Sequence, residues 1–297
     1  MRAAQKEVSE RVSVNLKMLI ELAKSAKPLK HYRSKIRAAR SGGHLSPTKG
    51  RGMEFDEARL YQPGDDIRAI DWRVTARRGK THTKIYREER ERPVLISVDC
   101  RSSMVFATRG CFKSVQAAKI AALLAWKAEQ HGDRVGGQLF SEQGVQEFKP
   151  QGGKHAVLRF LNGLVTPNFS SQKEMTLEQI VARFSQHAGH GSLLYLISDF
   201  RGLSGKAEVQ LSKLARHSEV VLIHIYDPLE SQLPNQGRYR FTDGQRDITV
   251  DTADKALIND YQRQFQQRQS LLQKLSRKWQ LKLIECQTTD DPLEVIR

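Results

Sequence analysis

No apolar run in these 297 residues approaches the roughly 18 that a membrane-spanning helix requires, so no transmembrane segment is expected. Residues 1–14 alternate charge and polarity with no signal-peptide apolar region, which predicts a soluble cytoplasmic protein. Cysteine is scarce. Cys100, Cys111 and Cys286 form neither a CxxC pair nor a metal-ligand spacing, which fits a reducing compartment and argues against disulfides and zinc. A phosphate-cradling Gly-x-x-x-x-Gly-Lys-[Ser/Thr] loop is absent, so any ATP chemistry belongs to a partner. No Gly-x-Ser-x-Gly elbow surrounds Ser102 or Ser103, and Ser102, Ser103, His131, His155 and Asp199 make only a forced triad. No catalytic residue is assigned, and no enzyme activity is expected.

Negative charge is also in short supply, with 33 Asp and Glu against 49 Lys and Arg, a net +16. Its location matters more than its size. Residues 1–50 hold 12 Lys and Arg against 3 Asp and Glu, whereas residues 51–92 hold 11 against 9. Arg2 to Lys24 fits an amphipathic helix, with Val8, Val12, Leu16, Leu19 and Ala23 on one stripe and Pro28 at its end. Such a segment reads as a basic arm for nucleic acid, anionic lipid or an acidic partner, or as a docked helix with a solvated face. The docked helix is favoured, because no aromatic residues interleave with the charges as base stacking would require.

Residues 41–92 are rich in turn residues and short alternating strands. Pro63-Gly64 suits the centre of a type II turn, Asp65 or Asp66 can accept nearby amides, and Lys80 to Glu88 alternates as a strand. Carboxylates cluster here, at Glu54, Asp56, Glu57, Asp65, Asp66 and Asp71. Arg51, Arg59, Arg68, Arg73, Arg77 and Arg78 are interleaved with them almost one for one. Guanidinium forks grip carboxylates in pairs, so a structural Arg-carboxylate network is the expectation, with a metal-dependent hydrolase built on Asp65, Asp66 and Asp71 as a weaker reading.

From residue 93 the pattern changes to α/β. Val94 to Asp99 is a buried strand ending on a carboxylate, followed by Cys100-Arg101-Ser102-Ser103. In open α/β sheets ligands bind beyond the carboxyl ends of strands, which makes this loop the first candidate site. Helix Lys113–His131, a hairpin over Arg134–Phe148, helices Ala156–Leu164 and Thr176–His187 and strand Ser192–Ser198 follow. Then come helix Lys206–His217, strand Val220–Ile225, a small hairpin over Arg238–Val250, helix Asp254–Trp279 and strand Leu281–Glu285. Strands alternating with helices predict a doubly wound, mostly parallel sheet with an antiparallel edge. The domains expected are a basic helix at 1–30, a β-rich module at 31–92 and an α/β domain at 93–297.

Several residues together resemble one family. Gly50-Arg51-Gly52-x-Glu54-Phe55, Arg59-x-Tyr61, Pro63-Gly64-Asp65-Asp66-x-Arg68-x-Ile70-Asp71-Trp72, Ala76-Arg77, Arg87-Glu88-Glu89 and the Asp99 loop closely resemble the domain of unknown function 58 family. The resemblance implies a von Willebrand factor A-type, Rossmann-like α/β domain with an extra β-rich module, often paired in bacteria with a MoxR-type AAA+ ATPase. It implies mainly structural roles for Glu54, Arg59, Tyr61, Gly64, Asp65, Asp66, Arg68, Asp71 and Trp72. Domains of this type bind a divalent ion through an Asp-x-Ser-x-Ser loop, a threonine and a further aspartate, the metal-ion-dependent adhesion site. Asp99 and Ser103 match the first loop and Asp199 the third.

The departures from that pattern are chemical. Arg101 stands in place of the first serine, and Gly152-Gly153-Lys154-His155 offers no threonine. A guanidinium beside a divalent cation meets a repulsion of roughly 8 kcal/mol at about 4 Å and an effective dielectric near 20. Tight metal binding is therefore not expected, leaving at most weak magnesium at Asp99, Ser103 and Asp199 and no other cofactor. Arg101 could instead pair with Asp99 or Asp199, with Lys154, His155 and Arg201 around one rim that receives an acidic partner. Alternatively these are ordinary surface cations around a relict site. The function expected is a non-enzymatic interaction or adaptor module working with a MoxR-type ATPase. Nucleic-acid binding through the N-terminal arm is the alternative.

Overall fold

The computed structural model of the chain describes residues 10–29, 53–88, 91–169, 175–233, 237–242, 247–251 and 255–297. It divides into two units, Met1–Ser34 with Arg92–Arg297, and Lys35–Glu91. Asn15 starts the first long helix, α1 (Leu16–Ala26), its side chain accepting the Met18 amide at 2.8 Å. The single helix expected over 2–24 is corrected here. Residues 10–12 are helical and 13–15 are not, because Asn15 is extended and spends its side chain as a cap. The part of that helix over 2–9 lies outside the described residues.

In the smaller unit β1 (Met53–Leu60) pairs antiparallel with β2 (His82–Glu88), and between them lie a 3-10 turn (Ile67–Ala69) and α2 (Trp72–Arg78). The turn before them forms as its residues demand. The Asp65 amide donates to the Gln62 carbonyl at 3.0 Å across Pro63-Gly64, and Gly64 has φ +106°, open to glycine at little cost.

The larger unit is built on β3 (Pro93–Asp99), α3 (Lys113–Gln130), β4 (Arg134–Ser141), β5 (Gly144–Gln151), α4 (Lys154–Val165), α5 (Leu177–Gln186), β6 (Leu193–Ser198), α6 (Gly205–Ala215) and β7 (Glu219–Tyr226). The short α7 (Pro228–Ser231), the hairpin β8 (Arg238–Thr242) and β9 (Asp247–Asp251), α8 (Lys255–Trp279), β10 (Lys282–Gln287) and α9 (Pro292–Val295) complete it. The turn of that hairpin lies outside the described residues. Six strands run β10-β7-β6-β3-β4-β5, all neighbours parallel except β4 and β5.

Side-chain alternation along the strands sorts the core into two layers. Val94, Ile96, Val98, Ile197 and Ile223 pack with α1, α3 and α4, while Leu95, Leu194, Leu196 and Leu222 pack with α5, α6 and α8. β4 approaches β3 so closely that a Cβ on Gly137 would collide with the Ile96 carbonyl. Helix α1 belongs to the first layer: Leu19 is fully buried, Trp126 Nε1 donates to the Leu19 carbonyl at 3.0 Å, and Gln130 Nε2 to that of Ala23 at 2.9 Å. Its basic residues therefore sit on a docked helix rather than a free arm. Among the described residues no helix is long and apolar enough to cross a membrane.

Candidate functional site

Neighbouring parallel strands β3 and β6 end at the same edge of the sheet, and each delivers an aspartate there. Asp99 is the last residue of β3, Asp199 follows the last residue of β6, and both are fully buried. A buried carboxylate is costly unless it is paired. Arg101 pairs with Asp99 through Nη2 to Oδ2 at 2.6 Å and Nε to Oδ1 at 3.0 Å, and its backbone amide adds a bond to Oδ1 at 3.0 Å. The same Nη2 lies 3.4 Å from Asp199 Oδ1, Nη1 donates to the Arg201 carbonyl at 2.9 Å, and the guanidinium sits 5.6 Å from the centre of the Phe140 ring. Ser198 Oγ donates to Asp99 Oδ2 at 2.6 Å.

Asp199 has a second, deeper set of partners. Lys113, the first residue of α3, is fully buried with Nζ 3.2 Å from Asp199 Oδ2 and 2.9 Å from Glu230 Oε1. Arg201 closes the set with its amide 3.0 Å from Asp199 Oδ1 and Nη2 2.7 Å from Glu230 Oε1. Asp99, Asp199 and Glu230 thus face Arg101, Lys113 and Arg201, and the cluster is neutral. Burial alone would raise the pKa of Asp199, but the Lys113 ammonium, the Arg201 amide and the two guanidiniums outweigh it and hold it at about 2. Asp99, with one guanidinium, is pushed upward by burial. Burial, with Asp99 beside it, drives the Cys100 thiol up to about 12, so this cysteine is no thiolate. His224, in register with Ser198, is fully buried with neither ring nitrogen bonded among the described residues, and burial lowers its pKa to about 4.

The divalent ion associated with this loop pattern requires oxygen ligands with open positions. Here Arg101, Ser198, Lys113 and Arg201 already occupy the lone pairs of Asp99 and Asp199. Ser103 Oγ is buried and unpartnered among the described residues, but one hydroxyl does not make a site. Among those residues no group of three or more His, Cys, Asp or Glu could hold a metal. The residues present do not fit a divalent ion.

The structure brings Asp99, Arg101, Asp199 and Arg201 together. It does not bring Lys154 to them: Lys154 is exposed at the start of α4 and bonds to neither aspartate. Lys113 and Glu230 were not anticipated. Asp227-x-x-Glu230 reads as a capping box, which the structure forms around α7, but nothing local shows that Glu230 also pairs with Lys113. Nothing in the sequence around Lys113 signals its burial.

Of the Arg-carboxylate network expected in the smaller unit, the described residues show one pair. Arg59 pairs with Asp65 at 2.6 Å, whose other oxygen takes the Gln62 amide at 2.9 Å. Asp66 instead accepts the Arg68 amide at 2.9 Å, and Asp71 caps α2 by accepting the amides of Arg73 and Val74 at 3.0 and 3.1 Å. Caps one to three residues away cost less chain entropy than distant guanidiniums, so they win. Each of the three aspartates is therefore committed locally, to Arg59 or to nearby backbone amides. Tyr61 is half-buried and its amide donates to the Thr81 carbonyl at 2.8 Å, whereas Arg68 and Trp72 are exposed. Glu54 lies in β1, and Arg51 lies outside the described residues.

The larger unit is thus a doubly wound, mostly parallel α/β sheet with one antiparallel edge and an acidic pair at the carboxyl ends of its strands, and the smaller unit is β-rich. The family model described as "Protein of unknown function DUF58" matches residues 57–270, and the chain belongs to that family. Uncharacterized protein Rv1480 of Mycobacterium tuberculosis and Uncharacterized protein Mb1516 of Mycobacterium bovis are each 28% identical over 235 residues, 78% of this chain and 73% of theirs. Among solved structures, conserved hypothetical protein BatB from Bacteroides thetaiotaomicron matches with TM-score 0.46 at 13% identity, covering 69% of this chain and 95% of that one. A von Willebrand factor type A protein from Catenulispora acidiphila matches with TM-score 0.33 at 12% identity, over 49% and 35% of the two chains.

Proposed function

We propose that this chain is a non-enzymatic, cytoplasmic interaction module whose strand-end site holds protein cations in place of a metal ion. The observation that carries the reading is Arg101, seated on Asp99 at 2.6 Å and reaching Asp199 at 3.4 Å. In a metal-bearing domain of this type, the ion neutralises the aspartates and offers an open position to a partner's carboxylate. Arg101 supplies the first of these without an ion. Arg201, whose side chain is 46% exposed, supplies the second as a rim cation that an acidic partner can reach. A MoxR-type AAA+ ATPase is the partner class this reading names, because the resemblance to the DUF58 family implies that pairing in bacteria.

Calorimetric titration with magnesium tests the metal half of the reading. The native protein is expected to give no binding heat, and Arg101→Ser, which restores an oxygen ligand and removes the repulsion, measurable weak binding. Equal magnesium affinity in both proteins overturns the substitution argument. Interferometry against the MoxR-type ATPase of the same cell tests the other half: binding is expected to be insensitive to chelator and weakened by Arg201→Glu. Loss of binding on adding EDTA would refute a metal-free contact.

A further inference from the structure

Among the described residues, the carboxylates of the smaller unit leave a cationic and apolar face unneutralised. Along α2, Trp72 and Ala76 are four residues apart, as are Arg73 and Arg77, so the two pairs form adjacent stripes, and all four residues are exposed. Val74 and Thr75 lie on the other side, where Thr75 Oγ1 accepts the His82 amide at 3.0 Å. Trp72 is 68% exposed, and Ile67, in the turn leading to the helix, is 67% exposed. Arg68, in the turn before the helix, adds another exposed cation, whereas Arg78, four residues after Val74, falls on the other side. Asp65 is held by Arg59 and the Gln62 amide, and Asp66 and Asp71 by the backbone amides they cap. Among the described residues no carboxylate pairs with Arg68, Arg73, Arg77 or Arg78.

Charge decides what can cover this face. Residues 30–52 carry seven Lys and Arg and no Asp or Glu, so that segment of the chain would add to the repulsion rather than relieve it. A second copy joined by a two-fold axis would set the same arginines against each other. Single-stranded nucleic acid binds by stacking successive bases on aromatic rings. Here the helix offers one tryptophan, and the exposed apolar residue of the preceding turn, Ile67, is aliphatic and has no π-face to offer. Tryptophan and arginine are, by contrast, the side chains that most often anchor protein interfaces, and carboxylates pair with guanidinium forks two bonds at a time.

We propose that the Trp72–Arg77 face of the smaller unit docks an acidic protein segment bearing apolar side chains. Its carboxylates pair with Arg73 and Arg77, and with Arg68 in the preceding turn, and its apolar groups cover Trp72 and Ile67. This contact is separate from the strand-end site and does not depend on the reading given for it.

The test is selection of a random peptide display library on the full chain, followed by anisotropy of the selected labelled peptides. Enrichment of Asp and Glu around Leu, Phe or Met is expected, with affinity falling as salt rises. Trp72→Ala should weaken binding about tenfold, the loss typical of truncating an aromatic anchor, and Arg73→Glu with Arg77→Glu at least as much. Both variants alter exposed side chains, and unchanged melting curves establish that they fold. Lys213→Ala, which removes an exposed cation of the larger unit, should bind as the native protein does. The proposal is overturned if the selected peptides lack acidic residues, if the α2 variants bind normally, or if Lys213→Ala loses binding. It is also overturned if a thymidine oligonucleotide binds this face more tightly than any selected peptide and depends on Trp72.

Discussion

Lys113→Met removes a buried ammonium of the larger unit that reaches two carboxylates. Lys113 Nζ lies 3.2 Å from Asp199 and 2.9 Å from Glu230, with Lys113 and Asp199 fully excluded from solvent. Methionine matches the length of the stem, so packing changes little and the charge is the main perturbation. Asp199 keeps Arg201 and the longer contact to Arg101, while Glu230 keeps Arg201. Breaking a buried pair from one side costs about 3–5 kcal/mol, because the remaining charge stays buried. At about 2–4 °C per kcal/mol for a unit of this size, the melting temperature should fall by roughly 6–20 °C. Urea unfolding of Lys113→Met, Asp199→Asn and the double variant closes a mutant cycle. The double variant should lose less than the sum of the singles by about 1–3 kcal/mol. A single-variant loss below about 1 kcal/mol, with additive effects in the double, would refute the view that this ammonium balances buried charge.

His224 and Asp199 each make stability fall as pH falls, whereas Asp99, raised by burial, works in the opposite direction. His224 has a folded pKa of about 4 against an ordinary 6.5. Its contribution is complete above pH 6.5 and is lost as pH falls towards 4, a change of about 3 kcal/mol. Asp199, at about 2 against 3.8, contributes above pH 3.8 and loses about 2 kcal/mol as pH falls towards 2. A urea-midpoint series should therefore flatten between pH 6.5 and 4 in His224→Phe while still falling below 4, and an unchanged upper slope would count against the buried neutral ring. Leu19→Ala should cost about 2–5 kcal/mol by leaving a cavity between α1 and α3; near-native unfolding would mean that α1 is not docked. Cys100, with its thiol pushed up to about 12, should resist iodoacetamide at pH 8 in the folded protein and react on unfolding, as read by mass spectrometry.

The apolar runs at 94–98, 193–197 and 220–225, separated by helical periodicities, specified the doubly wound sheet, because strand burial and helix amphipathicity are written in local spacing. Two nearby features were equally legible. Gln62-Pro63-Gly64-Asp65 forms its turn through bonds no more than three residues long, and Arg101 meets Asp99 two residues away. The break at Ser13–Asn15 went unseen, since an apolar stripe can continue across residues whose backbone has left the helix. The arginines of the smaller unit were legible only in part, at Arg59 and Asp65. Composition counts charges but does not show that Asp66 and Asp71 face backbone amides and so leave Arg68, Arg73 and Arg77 exposed. Tertiary structure alone decided the deep half of the strand-end site. Lys113, Asp199 and Glu230 lie far apart in sequence and meet only because α3 starts, β6 ends and α7 begins at one edge of the sheet. Buried charge must be matched in space, and chain order carries no record of which distant cation will match it.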